Sequence, residues 1–551
     1  MPLPKDKSKR GPNRIVVAII VASFFVGGTL AGCSAHDSSS SAVSVNRAST
    51  ASVRAAGEPT PPRMVGDAQE SWFAMFIQGA KVGSGRTSTT RIVERGKTLL
   101  RIEEEITFSV SRNGQRTDEK IVSSGVETLD GELLRFQTEI NSGQEPIVTR
   151  GAVRGGQLAF ETTTTGKRVT SAIPWPAAAG GFKATEHSLA KQPMQPGEQR
   201  KLAALMVGFN QLAEIEMAAA TTYEPVTLLD HSEDLLRIDW TATLPKGNVI
   251  RAIWWANHEG EVLKMQLDAL HQITYRTTRE IALAEGGPMR FDLLRSTIVA
   301  VDRPLEHAES TKRARYRVRL ESEDPSRIFA ASGGQQITPV DPHTAEIMVQ
   351  SVRPGSIAAR PSGNTAIAPT GDSPADGTHE RPPAEDDRQP NNLVQSDAPE
   401  IVALAKQAAG GKTDSWETAA ALERFVHQYI TGKNYLKAFS TAVEVAESRE
   451  GSCTQHAVLL AALARARGIP ARVAIGLVYV EDHPGFAFHM WNEVWIGDRW
   501  IPLDATRGLG GIGATYLKLA DSSLQGESAY SCFLPVAQVI GQAKIEILEA
   551  E

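Results

Sequence analysis

Cysteine is scarce in this sequence, which has three cysteines, Cys33, Cys453 and Cys532, in 551 residues. So few cysteines exclude the dense disulfide framework that holds small secreted domains together. A single bridge between Cys453 and Cys532 stays open as an alternative. The sequence also has no Cys/His pair at metal-ligand spacing and no acidic loop typical of a calcium site. We therefore predict neither a metal nor a cofactor.

A large net charge and internal repeats are also absent. The formal net charge is −6 over the whole chain, which argues against nucleic acid as the main partner. No segment repeats at a fixed period, so a repeat array is excluded. Hydrophobic residues make up 41% of the chain, enough to bury ordinary cores. Because 551 residues exceed what one core usually holds, we expect two or more domains.

The apolar run near the N-terminus is short for a membrane-spanning helix. It covers residues 15–30, about sixteen residues, and follows a basic stretch, as in a secretory signal peptide. The run ends in Leu30-Ala31-Gly32-Cys33, which resembles the lipobox of bacterial lipoproteins. The resemblance implies a signal peptide over residues 1–32 and a lipid on Cys33, the first mature residue. An uncleaved N-terminal anchor is the alternative.

Both interpretations of the N-terminus place the rest of the chain outside the cytoplasm. We expect a lipid-anchored protein of the bacterial cell envelope that faces the periplasm, and Ser34 after the cysteine favours the outer membrane. Residues 33–63 are rich in Ser, Ala, Thr and Pro and lack apolar periodicity, so they predict a flexible tether. Such a tether would let an anchored protein reach a substrate above the membrane.

Residues 64–353 are dominated by the alternation of apolar and polar residues that is typical of strands. Ile102, Ile106 and Phe108 alternate with polar neighbours, and turn sequences such as Gln78-Gly79 separate the segments. The pattern predicts an antiparallel β-rich domain of one or two subdomains. We find no catalytic constellation in it, so we interpret it as a packing or substrate-presenting domain.

A change in composition marks the next domain boundary. Residues 354–397 are dense in Pro, Gly, Ser and Asp with few large apolar residues, which predicts a disordered linker. Helical periodicity follows, and we assign residues 398–551 to a second, α+β domain. Within it, Thr441 and Glu444 predict a capping box at the start of one helix.

The stretch EGSCTQHAVLLAALARARGIPARV, residues 450–473, predicts a buried helix with a cysteine at its N-terminus. Ser452 and Gln455 fit a capping box, which makes Cys453 the first helical residue. Residues 457–464 are all Ala, Val or Leu, which indicates a helix that is buried on every side. Because the positive end of a helix favours thiolate over thiol, we expect Cys453 to ionise readily.

The stretch FAFHMWNEVWIGDRWIPLDAT, residues 486–506, predicts a β-hairpin. A two-residue loop at Gly497-Asp498 sets Trp491 opposite Asp504. His489 is then the diagonal neighbour of Asp504 on the same strand face, at about 7–8 Å between backbone positions, so their side chains can meet. A register slip of one residue would break this contact.

Together these residues make a nucleophile, a base and an acid that orients the base. Cys453 would attack a carbonyl, and His489 would stabilise the thiolate as an ion pair and then protonate the leaving group. Asp504 would fix the imidazole tautomer. The backbone N–H of Cys453 is a natural donor to the developing oxyanion. The candidates for a second donor are Asn434, Tyr435 and Trp491.

The ordered combination of these motifs resembles the transglutaminase-like domain of bacterial envelope proteins. The shared features are a Gly-x-Cys helix start, a Gly-Ile-Pro-Ala-Arg exit, a His-x-Trp-x-Glu strand and an Asp-x-Thr end, within residues 400–515. The resemblance implies a papain-like α+β fold with a Cys-His-Asp triad at Cys453, His489 and Asp504. Ser452 stands where relatives often have Asp, so a negative charge is missing beside the thiol.

The resemblance also implies an acyl-transfer enzyme that acts on an amide through a thioester. Water as acceptor would make it an amidase or peptidase, and an amine would make it a crosslinking transferase. We expect a protein or peptide substrate in the cell envelope, membrane contact through the N-terminal lipid, and no nucleic acid. The alternative is a catalytically inert binding protein in which the β-rich domain does the main work. We interpret His456, Glu493, Trp495 and Trp500 as packing or structural residues.

Overall fold

A computed structural model describes most of the chain beyond its N-terminus. The described residues are 63–112, 115–141, 146–164, 167–245, 247–267, 271–284, 297–352, 381–433, 439–525 and 531–551. The predicted signal peptide, the lipid on Cys33 and the tether up to residue 62 lie outside them. Residues 354–380 of the predicted linker and the oxyanion candidates Asn434 and Tyr435 also lie outside the described residues.

A long, almost wholly antiparallel sheet forms the N-terminal region. In chain order its strands are β1 (Arg63–Ile77), β2 (Ala80–Glu94), β3 (Lys97–Arg112), β4 (Gln115–Glu127), β5 (Leu133–Asn141), β6 (Ile147–Arg154), β7 (Gln157–Thr164), β8 (Lys167–Pro174), β9 (Ala179–Gly180), β10 (Gln199–Met206), β11 (Gln211–Thr227), β12 (Ser232–Thr243), β13 (Val249–Ala256), β14 (Val262–Leu267) and β15 (Gln272–Thr277). Among the described residues, the spatial order runs from β8 back to β1, then β15 back to β9. Only the β9–β10 pair in this sheet is parallel within the described residues.

The strands of this sheet form where the sequence alternates between apolar and polar residues. In β3, Ile102 and Ile106 are buried, whereas Arg101 and Thr107 are exposed. A two-residue turn at Gln78-Gly79, with φ of 49° and 76°, joins β1 to β2. Positive φ at both positions is the signature of the hairpin turn that matches strand twist. Alternation and turn chemistry therefore account for the sheet, as predicted.

Two smaller sheets form the C-terminal region. The first contains β16 (Val299–Ala300), β20 (Ala471–Val480), β21 (Gly485–Ile496), β22 (Arg499–Leu503) and β23 (Tyr516–Ser522). Its order is β16-β21-β20-β23, with β22 also paired to β21. The second sheet contains β17 (Arg313–Arg319), β18 (Gln335–Asp341), β19 (Thr344–Gln350) and β24 (Lys544–Ala550), in the order β18-β19-β17-β24.

The helices are concentrated in the C-terminal region. They are α1 (Ala184–Lys191), α2 (Arg279–Leu283), α3 (Pro325–Ile328), α4 (Pro399–Ala409), α5 (Ser415–Tyr429), α6 (Ala442–Ser448), α7 (Cys453–Ala466) and α8 (Leu534–Ala537). Helix α7 packs on β20 and β21 and contacts α4, α5 and α6. Across the described part of the chain, no helix is long and apolar enough to span a membrane.

This architecture confirms the predicted fold class, an antiparallel β-rich N-terminal region followed by an α+β C-terminal region. We predicted a domain boundary between residues 353 and 354. In the structure, strands that precede this position pair with strands that follow it. Strand β17 pairs with β24, and β16 pairs with β21. Period-two alternation identifies strands but not their partners. Pairing between strands so far apart in the chain is therefore visible only in the tertiary structure.

The last part of the predicted linker, residues 381–397, packs against the C-terminal region. Leu393 and Val394 are buried. The Asn391 side chain donates a hydrogen bond to the Ser523 carbonyl at 2.9 Å. A composition poor in apolar residues predicts disorder, but two buried side chains and specific hydrogen bonds order this segment.

Candidate active site

The N-terminus of α7 places the candidate nucleophile. Ser452 is the N-cap, and the Gln455 side-chain oxygen accepts hydrogen bonds from the Ser452 backbone N–H at 2.9 Å and hydroxyl at 2.7 Å. Cys453 is the first helical residue, as predicted, and its side chain is fully buried. Every residue of α7 from Cys453 to Arg465 is buried, which confirms the expected all-round apolar packing.

The C-terminal end of α7 is fixed by a buried arginine. The Arg465 guanidinium donates hydrogen bonds to the carbonyls of Ala471, Gln389 and Ser523 at 2.8–3.0 Å. Burial lowers the pKa of Arg465 to about 10, so it still carries its charge near neutral pH. These bonds join α7 to β20, to the end of β23 and to the ordered part of the linker.

The predicted hairpin of β21 and β22 brings the candidate base and acid together. Asn492 lies opposite Leu503 and Ile496 lies opposite Arg499, so the two-residue loop and the register are as predicted. The His489 ring nitrogen Nε2 lies 2.8 Å from Asp504 Oδ2. Both side chains are about 1% exposed. The His–Asp contact that the spacing predicts is therefore present.

The Asp504 carboxylate is held by three groups. Oδ2 accepts from His489 and from the Tyr516 hydroxyl at 2.7 Å, and Oδ1 accepts from the Thr506 backbone N–H at 2.9 Å. Burial alone would raise the pKa of Asp504. The His489 ring, the Arg507 guanidinium and the Tyr516 hydroxyl outweigh burial and bring this pKa below its ordinary range. Asp504 is therefore ionised at neutral pH.

The orientation of the His489 ring leaves one nitrogen available. Nε2 is bound to Asp504, so Nδ1 is the other position that can accept a proton. Nδ1 is buried and has no hydrogen-bond partner among the described residues. The Cys453 thiol is within hydrogen-bonding range of the Met490 backbone N–H, the residue directly after His489.

The protonation of the thiol differs from our expectation. Burial raises the pKa of Cys453 well above its ordinary value, and the nearby Asp504 charge raises it further. The backbone N–H groups of Met490 and Thr454 lower this pKa, but by less. The prediction of a readily ionised thiol was wrong for this closed site, because removal of the thiol from water outweighs the helix N-terminus.

Helix α5 contributes a buried carboxyl group, Glu423, that binds the backbone at Asp504. Glu423 accepts hydrogen bonds from the backbone N–H of Asp504 at 3.0 Å and of Gly510 at 2.8 Å. Burial and the neighbouring Asp504 charge raise the pKa of Glu423 to about 7. One turn along α5, His427 Nδ1 lies 3.2 Å and 3.1 Å from the carbonyls of Ala505 and Thr506. The loop after β22 is therefore anchored to α5 at both ends.

Sequence reasoning missed Glu423 and Tyr516. A glutamate among the apolar positions of an amphipathic helix is the one signal that could have drawn attention to Glu423. Tyr516 reaches Asp504 because β23 approaches β20 closely. Gly476 permits this approach, since a Cβ there would lie 2.0 Å from the Leu517 carbonyl oxygen.

The other candidate residues have structural roles. His456 donates from Nδ1 to the Ser452 carbonyl at 2.7 Å, and burial lowers its pKa to about 4. Glu493 accepts from Arg472 at 2.7 Å and from Lys518 at 2.8 Å. Trp495 and Trp500 pack edge to face at 5.4 Å.

Of the three candidates for the second oxyanion donor, Trp491 lies within the described residues. Trp491 lies on the same strand face as His489, and its indole N–H is buried without a hydrogen-bond partner among the described residues.

Cys453 and Cys532 are both buried, and no disulfide joins them. In the described ranges, no group of three or more His, Cys, Asp or Glu side chains is arranged to hold a metal ion.

Comparison with known proteins assigns the segment that contains this site. Residues 402–505 match the family model of the transglutaminase-like superfamily, which confirms the predicted resemblance for that segment. It contains Cys453, His489 and Asp504. No curated protein matches the sequence.

Three solved structures resemble parts of the chain. A candidate cysteine protease from Cytophaga hutchinsonii is 17% identical, over 43% of this chain and 86% of its own, with a TM-score of 0.27. A Brucella abortus protein with a domain of unknown function is 10% identical, over 38% of this chain and 94% of its own, with a TM-score of 0.28. A candidate protease from Parabacteroides distasonis is 10% identical, over 65% of this chain and 64% of its own, with a TM-score of 0.17.

Proposed function

We propose that the transglutaminase-like domain catalyses acyl transfer from an amide substrate through a thioester on Cys453. The observation that carries the proposal is the buried 2.8 Å contact between His489 Nε2 and Asp504 Oδ2, beside the helix N-terminus that bears the thiol. This contact leaves Nδ1 of the ring as the proton acceptor. In this proposal Cys453 is the nucleophile, His489 is the base and Asp504 is the acid that orients the base.

The raised pKa of the thiol favours proton transfer during attack over a stable ion pair. The Cys453 sulfur attacks the amide carbonyl carbon while its proton passes to His489 Nδ1. The amide C–N bond then breaks, the amine leaves with that proton, and the acyl group stays on sulfur as a thioester. Asp504 stabilises the imidazolium that forms in between. Its low pKa keeps it charged for this role.

In the second half of the reaction an acceptor attacks the thioester carbon and gives its proton to His489. The C–S bond then breaks, and the proton passes from His489 to the Cys453 sulfur, which restores the thiol. Water yields a carboxylic acid, and an amine yields a new amide. In both steps the backbone N–H of Cys453 and the Trp491 indole N–H are the proposed donors to the oxyanion. The substrate class that we propose is a peptide or a glutamine side chain of a cell-envelope protein.

The N-terminal motif supports the cellular location that we propose. The Leu30-Ala31-Gly32-Cys33 sequence and the basic, apolar stretch before it support a lipid anchor on Cys33. With such an anchor the enzyme would face the periplasm from a membrane. Mass spectrometry of Cys33 in protein extracted from a bacterial membrane would test this, because an unmodified cysteine would contradict the anchor.

Reaction with an activated ester tests the proposed chemistry without knowledge of the substrate. We expect p-nitrophenyl acetate to acetylate Cys453 with a burst of nitrophenolate, and mass spectrometry to locate the acetyl group. Cys453→Ala should abolish the burst, His489→Ala should slow it, and Cys532→Ala is the matched control that should retain it. No acetylation of Cys453, or acetylation unaffected by His489→Ala, would favour the alternative of an inert binding protein.

A further inference from the structure

A large cavity lies on one face of the N-terminal sheet. Its volume is about 750 Å³, within the range of typical ligand sites. The consecutive strands β2 to β8 line it. None of the triad residues belongs to it, so the proposed reaction does not explain this cavity.

Two rows of side chains across the strands line the cavity. Residues that pair directly across neighbouring strands point to the same face of a sheet. From β3 to β7, the first row is Arg101, Val126, Arg135, Ala152 and Ala159. From β4 to β8, the second row is Ser124, Gln137, Arg150, Glu161 and Thr170. Small residues in both rows leave a trough between longer polar side chains.

Positive charge dominates the lining. Four arginines, Arg101, Arg135, Arg150 and Arg154, face a single acidic residue, Glu161. Glu161 makes its ion pair with Arg168 at 3.8 Å, outside the lining. The cavity therefore has a surplus of cationic groups on a chain whose net charge is negative.

Two of these arginines keep hydrogen-bonding capacity for a ligand. Arg101 and Arg135 are paired with Glu103 and Glu94. Arg150 donates only from Nε, to Gln137 at 3.0 Å, and neither it nor Arg154 has an acidic partner among the described residues. Both are exposed. A planar guanidinium with free N–H groups matches a carboxylate in two parallel hydrogen bonds.

The polar groups between the arginines favour a peptide over a lipid. Ser124, Gln137 and Thr170 present hydroxyl and amide groups to the trough. Peptide amides and carboxylates can satisfy these groups. An acyl chain would cover them without hydrogen bonds, which costs free energy.

One of the strands that line the cavity, β7, is also joined to the C-terminal region. The Asn392 side chain donates to the Thr164 hydroxyl, at the end of β7, at 3.4 Å. The adjacent Asn391 binds the Ser523 carbonyl, which Arg465 of α7 also binds. These hydrogen bonds connect a strand that lines the trough to the segment that contacts α7.

We propose that this trough binds a carboxylate-rich peptide segment of the enzyme's amide substrate, with Arg150 and Arg154 as the recognising residues. The trough would recruit acidic polypeptides to the enzyme at a site apart from the triad. The identification of the ligand as substrate rests on the proposed function, whereas the binding of an acidic peptide does not.

Fluorescence anisotropy of a labelled oligoglutamate peptide tests the proposal on the full-length protein. We expect saturable binding that weakens with added salt, and no binding of oligoglutamine of the same length. The double substitution Arg150→Gln and Arg154→Gln should weaken binding about tenfold or more, since it removes two charge-assisted pairs. Arg237→Gln with Arg327→Gln, an equal change of charge outside the cavity, should leave binding unchanged.

Several outcomes would overturn the proposal. One is that oligoglutamate does not bind, and another is that both double variants weaken its binding equally. The third is that Arg150 and Arg154 are needed for binding to phosphatidylglycerol vesicles while the peptide does not bind. Cys453→Ala separates this proposal from the catalytic one, because it should bind the peptide as tightly as the wild type. If the triad proved inert and peptide binding persisted, the trough would remain a peptide site and only the enzymatic role would fail.

Discussion

Substitution of Glu423 by glutamine should change how the stability of the protein depends on pH. Glu423 is fully buried and accepts hydrogen bonds from the backbone N–H groups of Asp504 and Gly510. Its pKa in the folded protein is about 7, against an ordinary value of 4.5. Because this pKa is raised, the folded protein favours the protonated carboxyl group. The corresponding stability is fully present below pH 4.5 and is lost as the pH rises through about 7.

The size of the effect follows from the shift. A shift of one pKa unit corresponds to about 1.4 kcal/mol. The raised pKa of Glu423 therefore lowers the free energy of unfolding by roughly 3 kcal/mol as the pH rises from below 4.5 to above about 7. Glutamine cannot ionise, but its NH2 group faces one of the two backbone N–H donors and leaves that donor unsatisfied. This loss costs about 1–3 kcal/mol at every pH. Glu423→Gln should therefore be clearly less stable than the wild type at low pH and nearly as stable at pH 8.

Urea unfolding followed by tryptophan fluorescence at several pH values between 4.5 and 8 measures this difference. The wild type and the variant share all other titrating groups, so the difference between their unfolding free energies isolates Glu423. Glu417→Gln on the exposed side of the same helix is the matched control and should show no such trend. A difference that stays constant within about 0.5 kcal/mol over this range would refute a raised pKa for Glu423.

Three further substitutions test the site and its support. Asp504→Asn should slow acetylation of Cys453 by p-nitrophenyl acetate about a thousandfold or more, because the imidazole loses its orienting charge; a rate within threefold of the wild type would contradict the assigned role. Tyr516→Phe removes a 2.7 Å hydrogen bond to Oδ2 and should slow the same reaction about fivefold to tenfold, with a shifted pH–rate profile that a purely structural role would not produce. Arg465→Ala should destabilise the protein by about 3 kcal/mol in urea unfolding, since it leaves buried carbonyls unsatisfied, whereas the exposed neighbour Arg467→Ala should change stability little.

The candidate site could be predicted from the sequence because its parts are local in the chain. A capping residue and a helix start fix where Cys453 lies, and a two-residue hairpin loop fixes the register between His489 and Asp504. Each relation spans fewer than twenty residues and depends on hydrogen-bonding rules that hold in any fold. Alternation of apolar residues likewise indicated the strands of the N-terminal sheet.

The tertiary structure decided what depends on packing between distant segments. Glu423 and Tyr516 reach Asp504 from α5 and β23, and no spacing in the sequence reveals these approaches. The protonation of Cys453 was likewise decided by burial: a helix N-terminus favours a thiolate, but the loss of water around the sulfur depends on everything packed over it. The arginine trough also required the structure, since its rows combine residues from successive strands. The sequence by itself determined which groups the protein carries, the helix start at Cys453 and the pairing of His489 with Asp504, whereas the protonation and the other partners of these groups are set by long-range contacts.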